Sequence, residues 1–243
     1  MQNPEVCHFP YIKAHLLSEC VILYAGDCMA YRLVRMNQPM EYQAALDLQM
    51  KLFQQVSNNE IDGALIILEH TPVLTMGIRT EQANLLVSEE YLNNHGVALF
   101  QTDRGGDITF HGPGQIVAYP ILRFRDFQLK LSEYMHRLED VIIQTLKHYD
   151  VDATRRAEFP GVWVDNSKIC AIGVRAKQFI AYHGLAFNVT TDKRYFNLIN
   201  PCGITEYPIS CLNDFVQNPN IEQVKDTVIS SFQTVFGVTF EPE

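Results

Sequence analysis

The stretch RGGDITFHGPGQIVAYPIL, residues 104–122, has four glycines before its glutamine and ends in a largely apolar run. Glycine lacks a Cβ and readily adopts positive φ, so a loop of this composition lets the backbone approach a ligand closely. The run from Ile116 to Leu122 has the length and composition of a buried strand. The stretch therefore predicts a loop that opens directly into a core strand.

The same loop carries three side chains that can donate hydrogen bonds to an oxygen-rich group, namely Arg104, Thr109 and His111. Its spacing is neither that of a dinucleotide-binding GxGxxG turn nor that of a phosphate loop, which ends in Gly-Lys followed by Ser or Thr. A nucleotide is therefore not implied. The alternative is an ordinary hairpin turn in which the glycines serve geometry alone.

Apolar spacing predicts three helices elsewhere in the chain. Within residues 40–56, apolar side chains recur every four residues, which predicts one buried helical face. The positions that mark the three helices are Ala44, Leu48, Leu52 and Val56, then Leu131, Leu138, Ile142, Ile143 and Leu146, and finally Val224, Val228, Phe232 and Val235 within residues 221–236.

Short apolar runs predict the strands. The turn-forming residues Asp165-Asn166-Ser167 predict a hairpin between the runs that flank them. Strands and helices mix without the regular alternation of a doubly wound sheet, so the expected fold class is α/β, a single domain with a mixed, partly antiparallel sheet flanked by helices. The strands are expected at residues 64–68 and 97–100, both buried, and at 116–122, 162–164, 168–174 and 179–189.

The 243 residues, 47% hydrophobic and 19% charged, match one globular domain with a sizeable core. Residues 1–20 show little apolar patterning and are expected to form an N-terminal extension, with the domain at 21–243. The sequence shows no signal peptide, transit sequence or long apolar run, which predicts a cytoplasmic protein that does not enter a membrane. A net charge of −9 argues against nucleic acid as a partner.

The six cysteines form no CxxC pair, so neither a zinc site nor a disulfide framework is indicated. We expect reduced thiols and no metal site. The cysteines are Cys7, Cys20, Cys28, Cys170, Cys202 and Cys211.

Several blocks in one order resemble the lipoyl(octanoyl) transferase family, over about Tyr42 to Ile204. Because the blocks keep the family's order, their combination is far more specific than any one of them. The resemblance implies the biotin/lipoate ligase-like fold. The blocks are LEHTPVLTMG (68–77), NLL (84–86), RGGDITFHGPGQIVAY (104–119), GVWV (161–164), KICAIGV (168–174), HGLAFN (183–188) and PCGI (201–204).

The resemblance also implies an acyltransferase catalytic domain that moves an octanoyl or lipoyl group from acyl carrier protein to a lysine of a lipoyl domain. The implied acceptors are the lipoyl domains of 2-oxoacid dehydrogenase complexes and the glycine cleavage H protein. In the family, the cysteine of the PCG block accepts the acyl group as a thioester, and the lysine that opens the KICAIGV block lowers the pKa of that thiol. These positions are Cys202 and Lys168. An ammonium group beside a thiol favours the nucleophilic thiolate, and no ATP or other cofactor is implied.

The family's substrate-binding residues map onto three segments of this chain, where they are expected to line an acyl and pantetheine channel. Four of them are small, which suits a slot for an unbranched alkyl chain, although the same residues could simply pack a hairpin. The segments are Arg104, Gly105, Gly106, Asp107, Ile108, Thr109, Phe110 and His111; Ala171, Ile172 and Gly173; and Gly184, Leu185 and Ala186.

Two residues depart from what the resemblance leads us to expect. Cys170 stands where the family pattern has a small residue, and on a strand it would face the same way as Lys168 and form a rival thiol. Its apolar neighbours favour a buried spectator, so we expect Cys202 to be acylated. Asp107 places an acid in a site for an acidic carrier, and its side chain is expected to cap the turn. His70, His111 and His183 lack a known partner carboxylate and are more often structural.

Three other functions remain open on sequence grounds. An ATP-dependent lipoate ligase of the related catalytic domain would not need Cys202. A non-catalytic binder of acyl carrier protein would not need Lys168 and Cys202 together. A thiol hydrolase of the Cys/His/Asn type is the weakest candidate, because no family-specific context joins a cysteine to a histidine.

Overall fold

The computed structural model describes residues 20–23, 31–200 and 208–240. The expected extension at residues 1–20 lies outside these ranges except for Cys20, and so does Cys202. The extension and its boundary with the domain therefore stay predictions.

The strands alternate irregularly with the helices along the chain, as the sequence predicts. Four helices occur in the described residues: α1 Tyr42–Ser57, α2 Glu89–Asn94, α3 Leu131–His148 and α4 Ile221–Phe236. The strands there are β1 Cys20–Leu23, β2 Tyr31–Met36, β3 Gly63–Leu68, β4 Val73–Met76, β5 Ala98–Gln101, β6 Thr109–His111, β7 Gln115–Arg123, β8 Thr154–Arg155, β9 Gly161–Val164, β10 Ser167–Lys177 and β11 Ile180–Asn188.

Within the described ranges the strands form two sheets. The larger has eight strands in the order β1-β2-β3-β7-β11-β10-β9-β8, and the smaller has three in the order β5-β4-β6. In the larger sheet β2 and β3 run parallel and the other neighbours run antiparallel. This confirms the mixed, partly antiparallel sheet.

The smaller sheet was not predicted. Its strands are three or four residues long, too short to display the alternation that identifies a strand in sequence. The strand expected at residues 97–100 is present as β5, but the expectation that it is buried is wrong, because Ala98 is exposed and Leu99 and Phe100 are only half-buried. The reason is topological, since β5 forms the edge of the smaller sheet.

Helices cover both faces of the larger sheet. Helices α3 and α4 pack on one face through side chains such as Leu138 and Val228, and α1 packs on the other through Leu52 and Val56. No helix of the described residues is both long enough and apolar enough to span a bilayer.

The buried face of α1 differs from the predicted one. Ala44 is exposed, and the buried positions include Ala45, Gln49, Leu52 and Val56. A helix turns by about 100° per residue, so three steps of four residues drift by about 120° and leave the face. The buried set instead mixes steps of three and four, and it brings Gln49 under the sheet.

A buried ion pair ties α4 to the glycine-containing turn before β7. The side chain of Lys225 is 1% exposed, and its Nζ lies 3.1 Å from Glu69 Oε1 and 2.7 Å from Glu222 Oε1. The other carboxylate oxygen of Glu69 accepts a 2.8 Å hydrogen bond from the Gly114 amide. The C-terminal helix therefore helps to hold the turn that leads into β7.

We expect Lys225→Met to lower the free energy of unfolding by about 3 kcal/mol, because it leaves the Glu69 carboxylate unpaired in a partly buried position. Urea unfolding measures this change. The matched control is Lys193→Met, which removes an ion pair with Asp214 from a side chain that is 47% exposed, and which should cost less than about 1 kcal/mol. Equal losses in both variants would contradict the assignment.

Candidate active site

The glycine-rich loop that begins at Arg104, which we call the glycine loop, packs directly against strand β10. The Gly105 amide donates a 3.0 Å hydrogen bond to the Val174 carbonyl, and a Cβ on Gly173 would lie 2.8 Å from the Gly105 oxygen. Gly106 has φ +93°. A side chain at Gly173 would lift the loop from the strand, so backbone lies directly against backbone here.

A second close contact between backbones fixes the position of β11 against β7. A Cβ on Gly184 would lie 2.1 Å from the carbonyl oxygen of Ala118 on β7. Gly184 pairs with Gly173, and Ala186 pairs with Ala171. Two adjacent strands thus carry only hydrogen or methyl side chains at these four positions, which form a lining of small residues that we call the slot. The backbone of Gly105 and of Ala118 occupies the space next to its two glycines.

A cavity of about 760 Å³ occupies this region, within the usual size range of small-molecule sites. Every predicted substrate-binding residue lines it except Phe110. Residues on a strand alternate between faces, so Phe110 points away from Thr109 and His111. Its ring stacks on Tyr195 at 4.4 Å between centroids and belongs to the core of the smaller sheet.

Arg104 lies on the cavity lining but directs its donors into the protein. Its Nη2 donates to the Thr75 carbonyl at 2.6 Å, and its Nε donates to the Thr75 hydroxyl at 3.2 Å. Its Nη1 donates to the Gly105 carbonyl at 3.1 Å. These bonds hold the glycine loop to β4.

The Asp107 carboxylate is bonded once within its own loop, as a turn cap would be, and once to a segment outside the loop. One oxygen accepts from the Ile108 amide at 2.6 Å, and the other accepts from the Asn84 side-chain amide at 2.6 Å. The Asn84 carbonyl in turn accepts a 2.8 Å bond from the Asn200 amide. Asn84 was not predicted as a site residue, although its block belongs to the resemblance.

The three histidines are buried, and burial lowers the pKa of each ring. For His70 the pKa falls to about 4. The His183 Nε2 lies 2.9 Å from an oxygen of Asp103. That hydrogen bond is the main cause that lowers the pKa of Asp103 to about 2. Sequence gave no sign of Asp103, which is far from His183 along the chain.

Lys168 lines the cavity, as does Ile209, with which it forms a parallel bridge. Its Nζ donates to the Pro160 carbonyl at 3.2 Å and lies 4.9 Å from the centre of the Trp163 ring. Its backbone amide donates to Pro208, and its carbonyl accepts from the Ser210 amide. The chain from Pro208 onward therefore runs beside Lys168.

Lys168 and Cys170 do not share a face of β10, and the expectation that they would is wrong. The pairing of β10 with β9 shifts register between these two residues, and such an irregularity breaks the alternation of a regular strand. Cys170 is fully buried in the core with α3 and α4. Burial raises the pKa of its thiol far above the ordinary value, so it is a poor nucleophile.

Cys202 lies outside the described residues. The described chain ends at Asn200, which is bonded to Asn84, and resumes at Pro208, which is bonded to Lys168. Asn84 and Lys168 both line the cavity. In the part of the chain that the structure describes, no group of three His, Cys, Asp or Glu residues is arranged to hold a metal ion.

Residues 41–233 match the family model of the lipoyl protein ligase A/B catalytic domain. The chain belongs to this family. A relative from Desulforamulus reducens named octanoyltransferase is 44% identical over 206 residues, which cover 84% of this chain and 90% of the relative. Another octanoyltransferase, from Parabacteroides distasonis, is 40% identical over 82% of this chain and 92% of its own length. The family resemblance read from the sequence is confirmed.

Solved structures of the family show the same fold. A bi-partite lipoate protein ligase from Thermoplasma acidophilum, solved in a study that includes its E2 lipoyl domain, has a TM-score of 0.66 at 16% identity and covers 87% of this chain and 84% of its own. Lipoate-protein ligase A bound with ATP also has a TM-score of 0.66, at 15% identity, over 81% of this chain and 83% of its own. The predicted fold class is confirmed.

We expect acid to destabilise the domain through its buried histidines. The folded pKa of His70 is about 4, against about 6.5 in an unfolded chain. Between these values the unfolded state binds the additional proton, so the free energy of unfolding falls as the pH drops from about 6.5 to 4. The loss for His70 alone is about 3 kcal/mol.

Urea unfolding between pH 7 and pH 4 measures this loss. His70→Gln should reduce the slope in this window, whereas His148→Gln, which removes an exposed ring, should leave it unchanged. The contribution of Asp103 is lost only at lower pH, because its pKa is lowered. A His70→Gln variant with the full slope of the native chain would contradict the account.

Proposed function

We propose that this chain is an octanoyltransferase, which moves an octanoyl group from acyl carrier protein to a lipoyl-domain lysine through a thioester on Cys202. The observation that carries the proposal is the position of Lys168, which lines the same cavity as the glycines and alanines of the slot and is bonded to the chain at Pro208 and Ser210. The family membership and the names of the relatives support it.

Covalent geometry supports the pairing of Cys202 with this site. Cys202 follows Asn200 by two residues, and consecutive Cα atoms are about 3.8 Å apart, so the two Cα atoms can be separated by at most about 7.6 Å. Asn200 is bonded to Asn84 on the cavity lining. We infer that the Lys168 ammonium, which lines the cavity, stabilises the Cys202 thiolate.

The slot suits an unbranched acyl chain. Ala171, Gly173, Gly184 and Ala186 line it on neighbouring strands, and no larger side chain stands at these positions to obstruct an alkyl group. Each buried methylene contributes about 0.8 kcal/mol, so a chain of eight carbons gains several kcal/mol from burial. Selection for chain length then follows from the depth of the slot.

The proposed reaction has two steps. In the first, the Cys202 thiolate attacks the carrier thioester, the bond to the carrier sulfur breaks, and the Lys168 ammonium gives its proton to the leaving thiolate. In the second, the amine of the acceptor lysine attacks the octanoyl-enzyme, the bond between the acyl carbon and the Cys202 sulfur breaks to release the thiolate, and the neutral Lys168 amine takes the proton that the attacking nitrogen loses. An amide forms, and both Cys202 and Lys168 return to their starting states.

The partners follow from this reaction. The donor is octanoyl-acyl carrier protein, and the acceptors are lipoyl domains, such as those of 2-oxoacid dehydrogenase complexes and the glycine cleavage H protein. The thioester already carries an activated acyl group, so the proposal needs no ATP. The location in the cytoplasm stays a prediction.

The competing reaction is that of an ATP-dependent ligase, since a ligase of this fold binds ATP. At 15% identity that likeness supports the fold alone. The transferase is favoured by the PCG block at residues 201–203, which supplies a nucleophile that a ligase does not need, and by relatives at 40% identity or more that are named octanoyltransferases.

We expect the native chain, mixed with octanoyl-acyl carrier protein and no ATP, to gain one octanoyl group on the peptide that contains Cys202. Intact mass and peptide mapping measure the adduct, which should disappear when a lipoyl domain is added. Cys202→Ala should abolish it. Cys170→Ala is the matched control and should retain it, because Cys170 is buried in the core.

Each other outcome contradicts the proposal in a different way. Transfer that requires ATP and free acid would identify a ligase. Tight binding of the carrier with no adduct on any cysteine would identify a non-catalytic binder. An adduct on Cys170 that survives Cys202→Ala would mean that the nucleophile is wrongly assigned.

A further inference from the structure

A row of hydrogen-bonded polar side chains crosses the cavity lining. His111 Nδ1 lies 2.8 Å from Gln115 Oε1, and Gln115 Nε2 lies 2.9 Å from Asn188 Oδ1. Asn188 Nδ2 donates to the Ser210 carbonyl at 3.2 Å. At the other end, His111 Nε2 lies 3.2 Å from the Thr75 hydroxyl. The row therefore runs from β4 to the segment that pairs with Lys168.

Backbone carbonyls fix the direction of every bond in this row. Gln115 Nε2 also donates to the Phe110 carbonyl at 3.1 Å, so the amide nitrogen is on that side and Oε1 faces His111. An amide oxygen only accepts, so His111 Nδ1 must carry the ring proton. At the far end the Ser210 carbonyl likewise requires Asn188 Nδ2.

The bonds that join Arg104 to Thr75 and Thr75 to His111 have the same donor-to-acceptor direction as the rest of the row. Burial keeps the His111 ring neutral by lowering its pKa well below the ordinary value, so its Nε2 accepts the proton of the Thr75 hydroxyl. The Thr75 oxygen in turn accepts from Arg104 Nε and Nη2. Donors therefore point one way, from Arg104 through Thr75, His111, Gln115 and Asn188 to the Ser210 carbonyl.

Ser210 is held between this row and Lys168. Its carbonyl accepts from Asn188, and its amide donates to the Lys168 carbonyl at 3.0 Å. Ile209, the residue before it, forms a parallel bridge with Lys168. The Asn188 side chain thus sets where the chain from Pro208 onward lies relative to Lys168.

We propose that Asn188 is a positioning residue for the transfer reaction, and that the directed row from Arg104 to Ser210 holds the chain from Pro208 onward in register with Lys168. The proposal rests on the proposed function. It goes beyond the Cys202 and Lys168 pair, because it names residues that align the pair without touching the reacting atoms.

The hydrogen-bond inventory favours positioning over direct binding of substrate. Although His111, Gln115 and Asn188 line the cavity, both ring nitrogens of His111 and both amide groups of Gln115 and Asn188 already have protein partners. A substrate group could use them only by breaking a bond in the row. Buried networks of this kind are costly to leave partly satisfied.

The direction of the row can be tested in the unmodified chain. Nitrogen-15 NMR of the histidine side chains at pH 7 should show His111 neutral, with the proton on Nδ1. An Nε2–H tautomer or a charged ring would overturn the directed row. This measurement needs no variant, so it does not depend on whether a substitution is tolerated.

The positioning role is tested by Asn188→Leu, which keeps the approximate size of the side chain but cannot bond Gln115 or Ser210. We expect kcat for octanoyl transfer to fall about tenfold, in line with the loss of one aligned hydrogen bond, while KM for octanoyl-acyl carrier protein stays within about twofold. The pH at which iodoacetamide half-labels the Cys202 peptide should rise.

The matched control is Ser231→Ala, which removes a buried hydrogen bond from Thr145 between α3 and α4. It should lower Tm comparably and leave both kcat and the labelling profile unchanged. A native kcat and labelling profile in Asn188→Leu would overturn the proposal. So would an equal loss of activity in the control, because that result would reflect stability alone.

Lys168→Met separates failure of the positioning role from failure of the proposed function. One outcome is that Lys168→Met raises the pH at which iodoacetamide half-labels the Cys202 peptide while Asn188→Leu does not. In that case the pairing of Cys202 with Lys168 is supported and the positioning role of Asn188 is wrong. If Lys168→Met leaves the profile unchanged, the pair is wrong and the positioning role falls with it.

Discussion

The cavity depends on backbone lying directly against backbone at two glycines. Gly184 lies so close to the Ala118 carbonyl that a Cβ would be 2.1 Å from its oxygen, and a Cβ on Gly173 would be 2.8 Å from the Gly105 oxygen. Packed interiors transmit even small volume changes, so a methyl group at either position would displace a strand or the glycine loop. The slot, the placement of Arg104 and the approach to Lys168 all follow from this constraint.

The site has two parts. One is an apolar lining of small residues, and the other is a polar lining whose side chains are already hydrogen-bonded within the protein. The small residues on β10 and β11 leave room for an alkyl chain, while the polar side chains around them bond mainly to one another and to the backbone. Buried polar groups that are fully satisfied fix a single geometry. The row from Arg104 to Ser210 is satisfied in this way, and it meets Lys168 on β10, the strand that also carries Ala171 and Gly173.

Sequence patterns predicted the elements with strong periodicity or clear turns, including α3, α4 and the β9–β10 hairpin. They could not predict the smaller sheet, because its strands are too short, or the buried face of α1, because steps of four drift around a helix. The register shift between Lys168 and Cys170 could not be predicted either, because a bulge depends on how the strand pairs with its partner strand. The small-residue slot was predicted from the motif blocks, whereas Asn84, Asp103 and Asn188 needed long-range contacts that only the fold supplies.

The central claim is that the acyl group rests on the enzyme before the acceptor arrives. The most direct measurement is the thiol released from octanoyl-acyl carrier protein by rapid mixing, with no ATP and no lipoyl domain present. The account predicts a burst of about one thiol per chain that then stops, because the acyl-enzyme waits for its acceptor. Thiol release that begins only when a lipoyl domain is added would contradict it, because the acyl group would then pass directly from the carrier to the acceptor.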